Sequence, residues 1–183
     1  MKTKLLHFAA LLLVIVVIIA PILPAGEGVM TADNPLYTQP DSSLVSVLAA
    51  DSFDEPVYIL RDGLVSYRVA RADDMPVGAV FVISVRGWNP GIIFLVGVDS
   101  SGEISGLEII QERESPGFGD LVRAENFREQ FIGSGAGMEF ITSGTAANNQ
   151  VAAAAGATVS SQAIFNGANA AVNYFTNNIL PAW

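Results

Sequence analysis

The chain contains no cysteine. Disulfides, thiolate nucleophiles, zinc-finger ligand sets and Cys-ligated iron–sulfur clusters are thereby excluded together. It has a single histidine, His7, which removes His-based catalytic triads and multi-His metal sites. Positive charge is also scarce, with 9 Lys and Arg against 18 Asp and Glu, a net charge of −9 and a pI near 4.4. A nucleic-acid partner is not expected, because phosphate binding needs a basic footprint that this balance lacks. Charged residues make up only 15% of the chain and hydrophobic residues 51%, which excludes a disordered polypeptide. At 183 residues there is room for one ordinary domain and an appendage.

The appendage is the first thing present. Leu5–Leu23 is almost wholly apolar, broken only by His7 and Pro21, and follows Lys2 and Lys4. About 20 apolar residues span a bilayer core, whereas a signal-peptide apolar region runs to only ~7–15, so the length predicts a retained transmembrane helix rather than a cleaved leader. Both lysines precede the span, which places the N-terminus in the cytoplasm and the rest outside. The exported part then carries 7 arginines against all 18 acids. The expected organisation is an anchor over 1–25, a linker or juxtamembrane segment over 26–56, and a domain over 57–183. The Pro and Gly content of residues 24–40 supports the tether, and the apolar patch Leu44–Leu48 suggests a short juxtamembrane helix.

From Val57 onward, short β-branched runs are bounded by turn residues: Val57–Leu60, Leu64–Ala70, Ala79–Val85, Ile92–Val98 and Ile104–Gln111. Their short connectors favour antiparallel hairpins over crossover units. A short helix is expected over Arg123–Phe131, a flexible connection over 133–150, and a final helix from about Ser160 to Asn177. Strands followed by helices on one side make an α+β domain.

Three local features could carry chemistry. Gly156-Ala157-Thr158-Val159-Ser160-Ser161 feeds small residues into a helix N-terminus, where unpaired N–H groups and the macrodipole favour an anion. An ordinary N-cap with no ligand is the competing reading. The loop Glu114-Ser115-Pro116-Gly117-Phe118-Gly119 is either a ligand-lining turn or a connector. Gly87-Trp88-Asn89-Pro90-Gly91 is either a hairpin tip or the border of a flat ligand.

In this order, the run from Gly87 to Asp120, then Gly156–Ser161 and an Ala-rich terminal helix resemble a known family. It is the FMN-binding domain of the Rnf complex G subunit and of the C subunit of the sodium-translocating NADH:quinone reductase. The resemblance spans about Val57 to Asn177 and implies an N-terminal transmembrane helix followed by a small antiparallel-sheet FMN-binding domain with helices packed on it. It implies FMN esterified through its phosphate to Thr158 by a flavin transferase. Gly156 and Ala157 would allow close approach, with Ser160 and Ser161 near the phosphate and Val159 also among the FMN-binding residues. The family's E-T-P-G-L-G loop corresponds to Glu114–Gly119, so Glu114, Ser115, Gly117 and Phe118 would lie beside the ring. The attachment motif D-x-x-[ST]-G-A-[TS] is incomplete, since Ala152 and Ala155 replace the Asp and the Ser/Thr.

The implied function is electron transfer through FMN in an Rnf-type ion-translocating ferredoxin:NAD+ oxidoreductase. The protein would be a single-pass plasma-membrane subunit among other membrane subunits, with its FMN domain on the extracytoplasmic side. No side chain reads as a general acid or base, which suits an electron carrier. The alternatives are non-covalent FMN, a stand-alone extracytoplasmic FMN protein of another respiratory system, and a flavin-free anchored assembly module.

Overall fold

The computed structural model describes residues 39–183. The expected span Leu5–Leu23 lies outside the described residues, and among these no helix is long and apolar enough to cross a membrane. The body is built on an antiparallel sheet whose long strands are β3 (Leu64–Ala72), β4 (Met75–Arg86), β5 (Pro90–Asp99) and β6 (Ile104–Gln111), adjacent in that order. Two short strands, β1 (Ser52–Phe53) and β2 (Val57–Arg61), both pair with β3. All five strands expected from the sequence are present, β4 and β5 longer than their apolar runs because the ladder continues through Met75-Pro76-Val77 and Pro90-Gly91.

Strand alternation sorts the side chains onto two faces. Phe81, Ile83, Phe94, Val96 and Ile109 face one side, and there they meet Ile164, Ala168, Val172 and Phe175 of the last helix, α4 (Thr158–Tyr174). Gly167 brings this helix down onto the sheet, since a Cβ there would stand 2.8 Å from both Ile83 and Phe94. The same layer holds the short helices α2 (Gly119–Arg123) and α3 (Glu125–Arg128), with Phe127 and Phe131 edge to face at 5.5 Å. The sequence expects one helix over Arg123–Phe131. Ala124 breaks it into two by adopting an extended ψ of 137°. Residues 133–150, expected as a plain connection, contain β7 (Glu139–Ile141), which pairs in parallel with β8 (Gln150–Ala152).

The other face is covered too, which departs from the expectation of helices on one side only. Val80, Val82, Ile93 and Leu95 are buried by Leu44, Val47 and Leu48, from α1 (Asp41–Val45) and the turn after it. Residues 41–53, which composition assigns to the connection, therefore pack on the sheet. Gly97 and Gly106 are paired across β5 and β6, and a Cβ on either would collide with the backbone of Val47. Ser105 completes this slot by donating its hydroxyl to the Val47 carbonyl at 2.6 Å. The segment is held further by β3: Arg68 donates to the carbonyls of Phe53 and Asp54, and Arg71 makes a two-point ion pair with Asp54 at 2.8 and 3.0 Å.

Candidate functional site

Three chain ends meet at one end of the sheet: the β4–β5 connection at residues 87–89, the loop that leaves β6, and the N-terminus of α4. Between them lies a cavity of about 390 Å³ lined by Trp88, Glu114, Ser115, Phe118, Gly156, Ala157, Thr158, Val159 and Ser160. Its size falls in the range of small-molecule pockets. Among the residues predicted for the site, only Gly117 and Ser161 do not line it. Trp88 does, although the sequence leaves it between a hairpin tip and a ligand border. The signal that points to it is an aromatic directly after Gly87, and that glycine is required: a Cβ there would stand 2.6 Å from the Glu114 carboxylate and 3.0 Å from the Ser160 hydroxyl.

Each wall has a local cause. Pro116 and Gly117 form the centre of a turn closed by a 3.0 Å bond from the Phe118 N–H to the Ser115 carbonyl, with Gly117 at φ +86°. That is the type II arrangement, in which Pro presets the first central residue and Gly supplies the positive φ of the second. The turn leaves Phe118 45% exposed at the cavity rim. Gly156, at φ +90°, turns the chain into α4, whose first intrahelical bond runs from the Ser161 N–H to the Ala157 carbonyl. The N–H groups of Thr158, Val159 and Ser160 therefore have no acceptor within the helix, and the positive end of the helix dipole faces the cavity.

The helix starts at Thr158, two residues before the sequence-based start, and Ser160 and Ser161 lie inside its first turn and are buried. Their hydroxyls have partners: Ser160 donates to Glu114 Oε2 at 2.6 Å, and Ser161 accepts from the Ala154 N–H at 3.1 Å. Thr158 and Val159 are exposed, Val159 by 50%, and Trp88 is 70% exposed. The rim thus presents three large apolar groups to solvent, and the Thr158 hydroxyl has no hydrogen-bond partner among the described residues.

Glu114 is the one ionisable side chain among the lining residues. Its Oε1 accepts from the Asn89 N–H at 3.1 Å and its Oε2 from Ser160, so one carboxylate joins the 87–91 tip to α4. Its own N–H donates to Glu112 Oε2 at 2.8 Å. Glu112 in turn lies under Gly119, where a Cβ would collide with its carboxylate, and pairs with Arg123 at 3.4 Å. Among the described residues no group of His, Cys, Asp and Glu is arranged to hold a metal ion. Chemically, the cavity combines a flat apolar rim, a set of free N–H donors for an anion, and an accessible threonine hydroxyl.

Residues 87–173, which contain every wall of this cavity, match the FMN-binding domain family. The chain is 26% identical over 147 residues to the G subunit of the proton-translocating ferredoxin:NAD(+) oxidoreductase complex of Clostridium ljungdahlii, covering 80% of this chain and 77% of that protein. It is 30% identical over 94 residues to the G subunit of the Na(+)-translocating ferredoxin:NAD(+) oxidoreductase complex of Acetobacterium woodii, covering 50% of this chain and 45% of that protein. The fold is similar to the crystal structure of Shewanella oneidensis NqrC, with a TM-score of 0.56 and 17% identity over 77% of this chain and 74% of that one.

Proposed function

Because residues 87–173 match the FMN-binding domain family, we propose that this chain is an FMN-carrying subunit of an ion-translocating ferredoxin:NAD+ oxidoreductase complex of the Rnf type. The observation that carries the proposal is the single cavity in which Thr158, the free N–H groups of α4 and the exposed rings of Trp88 and Phe118 converge. When bound, FMN supplies the electron-transfer chemistry, and the protein supplies attachment, orientation and electrostatic tuning.

The residues fit the group. A phosphodiester retains one negative charge, and the first-turn N–H groups of Thr158, Val159 and Ser160 meet that charge without an arginine or lysine in the wall. Ser160 and Ser161 contribute through the backbone, since their hydroxyls are committed to Glu114 and Ala154. The Thr158 hydroxyl is the accessible acceptor; a flavin transferase using a dinucleotide flavin as donor would form one phosphoester bond from its Oγ1 to the FMN phosphorus as the donor's phosphoanhydride bond breaks, the nucleoside monophosphate leaving and the hydroxyl losing its proton. Trp88, Phe118 and Val159 would border the flat ring, and Gly117 sets the turn that presents Phe118. The residues before the described body hold the proposed membrane anchor over 1–25 and the tether that follows it. The domain then stands on the extracytoplasmic side, beside the other membrane subunits of the complex.

Ala152 and Ala155, which replace the Asp and Ser/Thr of the attachment motif, favour a second reading in which the same cavity holds FMN without a covalent bond. Expression with a flavin transferase separates the two. Arg128 is the last basic residue, so trypsin releases Thr158 in the peptide 129–183. The expected result is that peptide heavier by one FMN less one water, with the increment lost in Thr158→Val. Flavin that leaves the protein on denaturation establishes the non-covalent form, and colourless protein from a flavinylating host sinks both readings.

A further inference from the structure

We propose that Glu114 is the positioning residue of this site: it ties the cavity walls together and places a fixed negative charge against the bound flavin. The inference rests on the FMN reading for its second half and on geometry alone for its first.

The geometry is unusual for a surface carboxylate. Glu114 Oε1 accepts from the Asn89 N–H at 3.1 Å, and Oε2 accepts a hydrogen bond from the buried Ser160 hydroxyl at 2.6 Å. Residues 89, 114 and 160 are distant in sequence, and the bare Cα of Gly87 is what lets them converge. Charge-assisted bonds of this kind are about twice as strong as neutral ones. No arginine pairs with Glu114 among the described residues, since the neighbouring Arg123 is engaged with Glu112 and the Ile109 carbonyl. The charge is therefore offset by neutral donors and the α4 dipole and remains a net negative charge in the cavity wall.

That charge has a consequence for redox poise. Reduction of the oxidised flavin by two electrons and one proton, both electrons supplied in the test by an electrode through a mediator, adds one negative charge to the ring. A fixed carboxylate in the cavity wall opposes that addition and lowers the reduction potential. Glu114→Gln is nearly isosteric, keeps an acceptor for Asn89 and an amide for Ser160, and removes the charge. Glu114→Ala removes the tie as well.

Two measurements test this. In the flavin-free protein, the Asn89 amide is expected to exchange with solvent at least tenfold faster in Glu114→Ala than in wild type, and to stay protected in Glu114→Gln. In the flavin-loaded protein, the two-electron equilibrium is expected to shift about tenfold toward reduction in Glu114→Gln, a change of about +30 mV. Unchanged Asn89 exchange in a folded Glu114→Ala protein overturns the tie. An unchanged potential in Glu114→Gln overturns the charge effect. If Glu114→Ala fails to fold, Ser160→Ala reads the same tie from its other end: faster Asn89 exchange supports it, and exchange at the wild-type rate overturns it. Wild-type protein that takes up no FMN refutes the FMN reading instead, and the exchange measurement still decides the tie.

Discussion

At the scale of single residues, the site depends on glycines in two physically different ways. Gly87 is needed for space, because the Glu114 carboxylate and Ser160 hydroxyl occupy the volume a Cβ would fill. Gly156 is needed for conformation: its surroundings leave room for a Cβ, with the nearest atoms of Leu121 and Phe118 at 3.8 Å, but its φ of +90° does not suit an L side chain. Gly156→Ala is therefore expected to cost about 1–2 kcal/mol, the penalty for forcing an L residue into left-handed backbone. Relief of that strain would rotate Thr158 away from the cavity. The expected outcome is a modest fall in urea stability together with a large fall in flavin attachment. Wild-type flavin content in a destabilised Gly156→Ala protein would show that the turn serves folding and not the site.

At the scale of elements, what was legible in the sequence is what local pattern encodes. β3, β5 and β6 are β-branched runs between turn residues, and α4 shows apolar residues at helical spacing, so both appear at nearly their expected positions. For the Gly156–Ser161 and Glu114–Phe118 segments, small residues and a Pro-Gly pair alone leave an ordinary N-cap and a connector open; the family resemblance singles them out, and the fold brings both to one cavity. The three-residue strands β7 and β8 were not legible, since their parallel pairing is set by contacts across an eight-residue gap rather than by alternation. The docking of residues 41–53 was also illegible, because the slot that accepts Val47 is formed by Gly97 and Gly106 on other strands. The clamp on that segment gives a pH prediction. The Arg71 guanidinium hydrogen-bonded to Asp54 holds its carboxyl below the ordinary carboxylate range, so the native state binds fewer protons there than the unfolded chain. This contribution is complete above the unfolded carboxylate pKa of about 3.9 and is lost as pH falls through the lower folded value. Thermal denaturation should show wild type above Asp54→Asn at pH 7, with the two curves converging in acid. A constant gap down to pH 2 would rule the ion pair out as the cause.

At the scale of the whole molecule, the sheet is the central layer and its two faces are covered by different parts of the chain. One face carries α4 and, through it, Thr158 and the free N–H donors of the cavity. The opposite face carries residues 41–53, which pack on it and pair with β3. Residues 41–53, expected within the linker or juxtamembrane segment, are thus a packed part of the described body. Removing residues 39–56 would expose Val80, Val82, Ile93 and Leu95, each a side chain whose full burial is worth about 1.5–3 kcal/mol. Their sum approaches the 5–15 kcal/mol that keeps a typical domain folded. A fragment beginning at residue 39 is expected to be soluble, to melt cooperatively and to load flavin when expressed with a transferase. A fragment beginning at residue 57 is expected to aggregate or to lose its cooperative transition, even though it contains the full family match and every cavity residue. Equal melting of the two fragments would mean that the slot at Gly97 and Gly106 contributes nothing to stability.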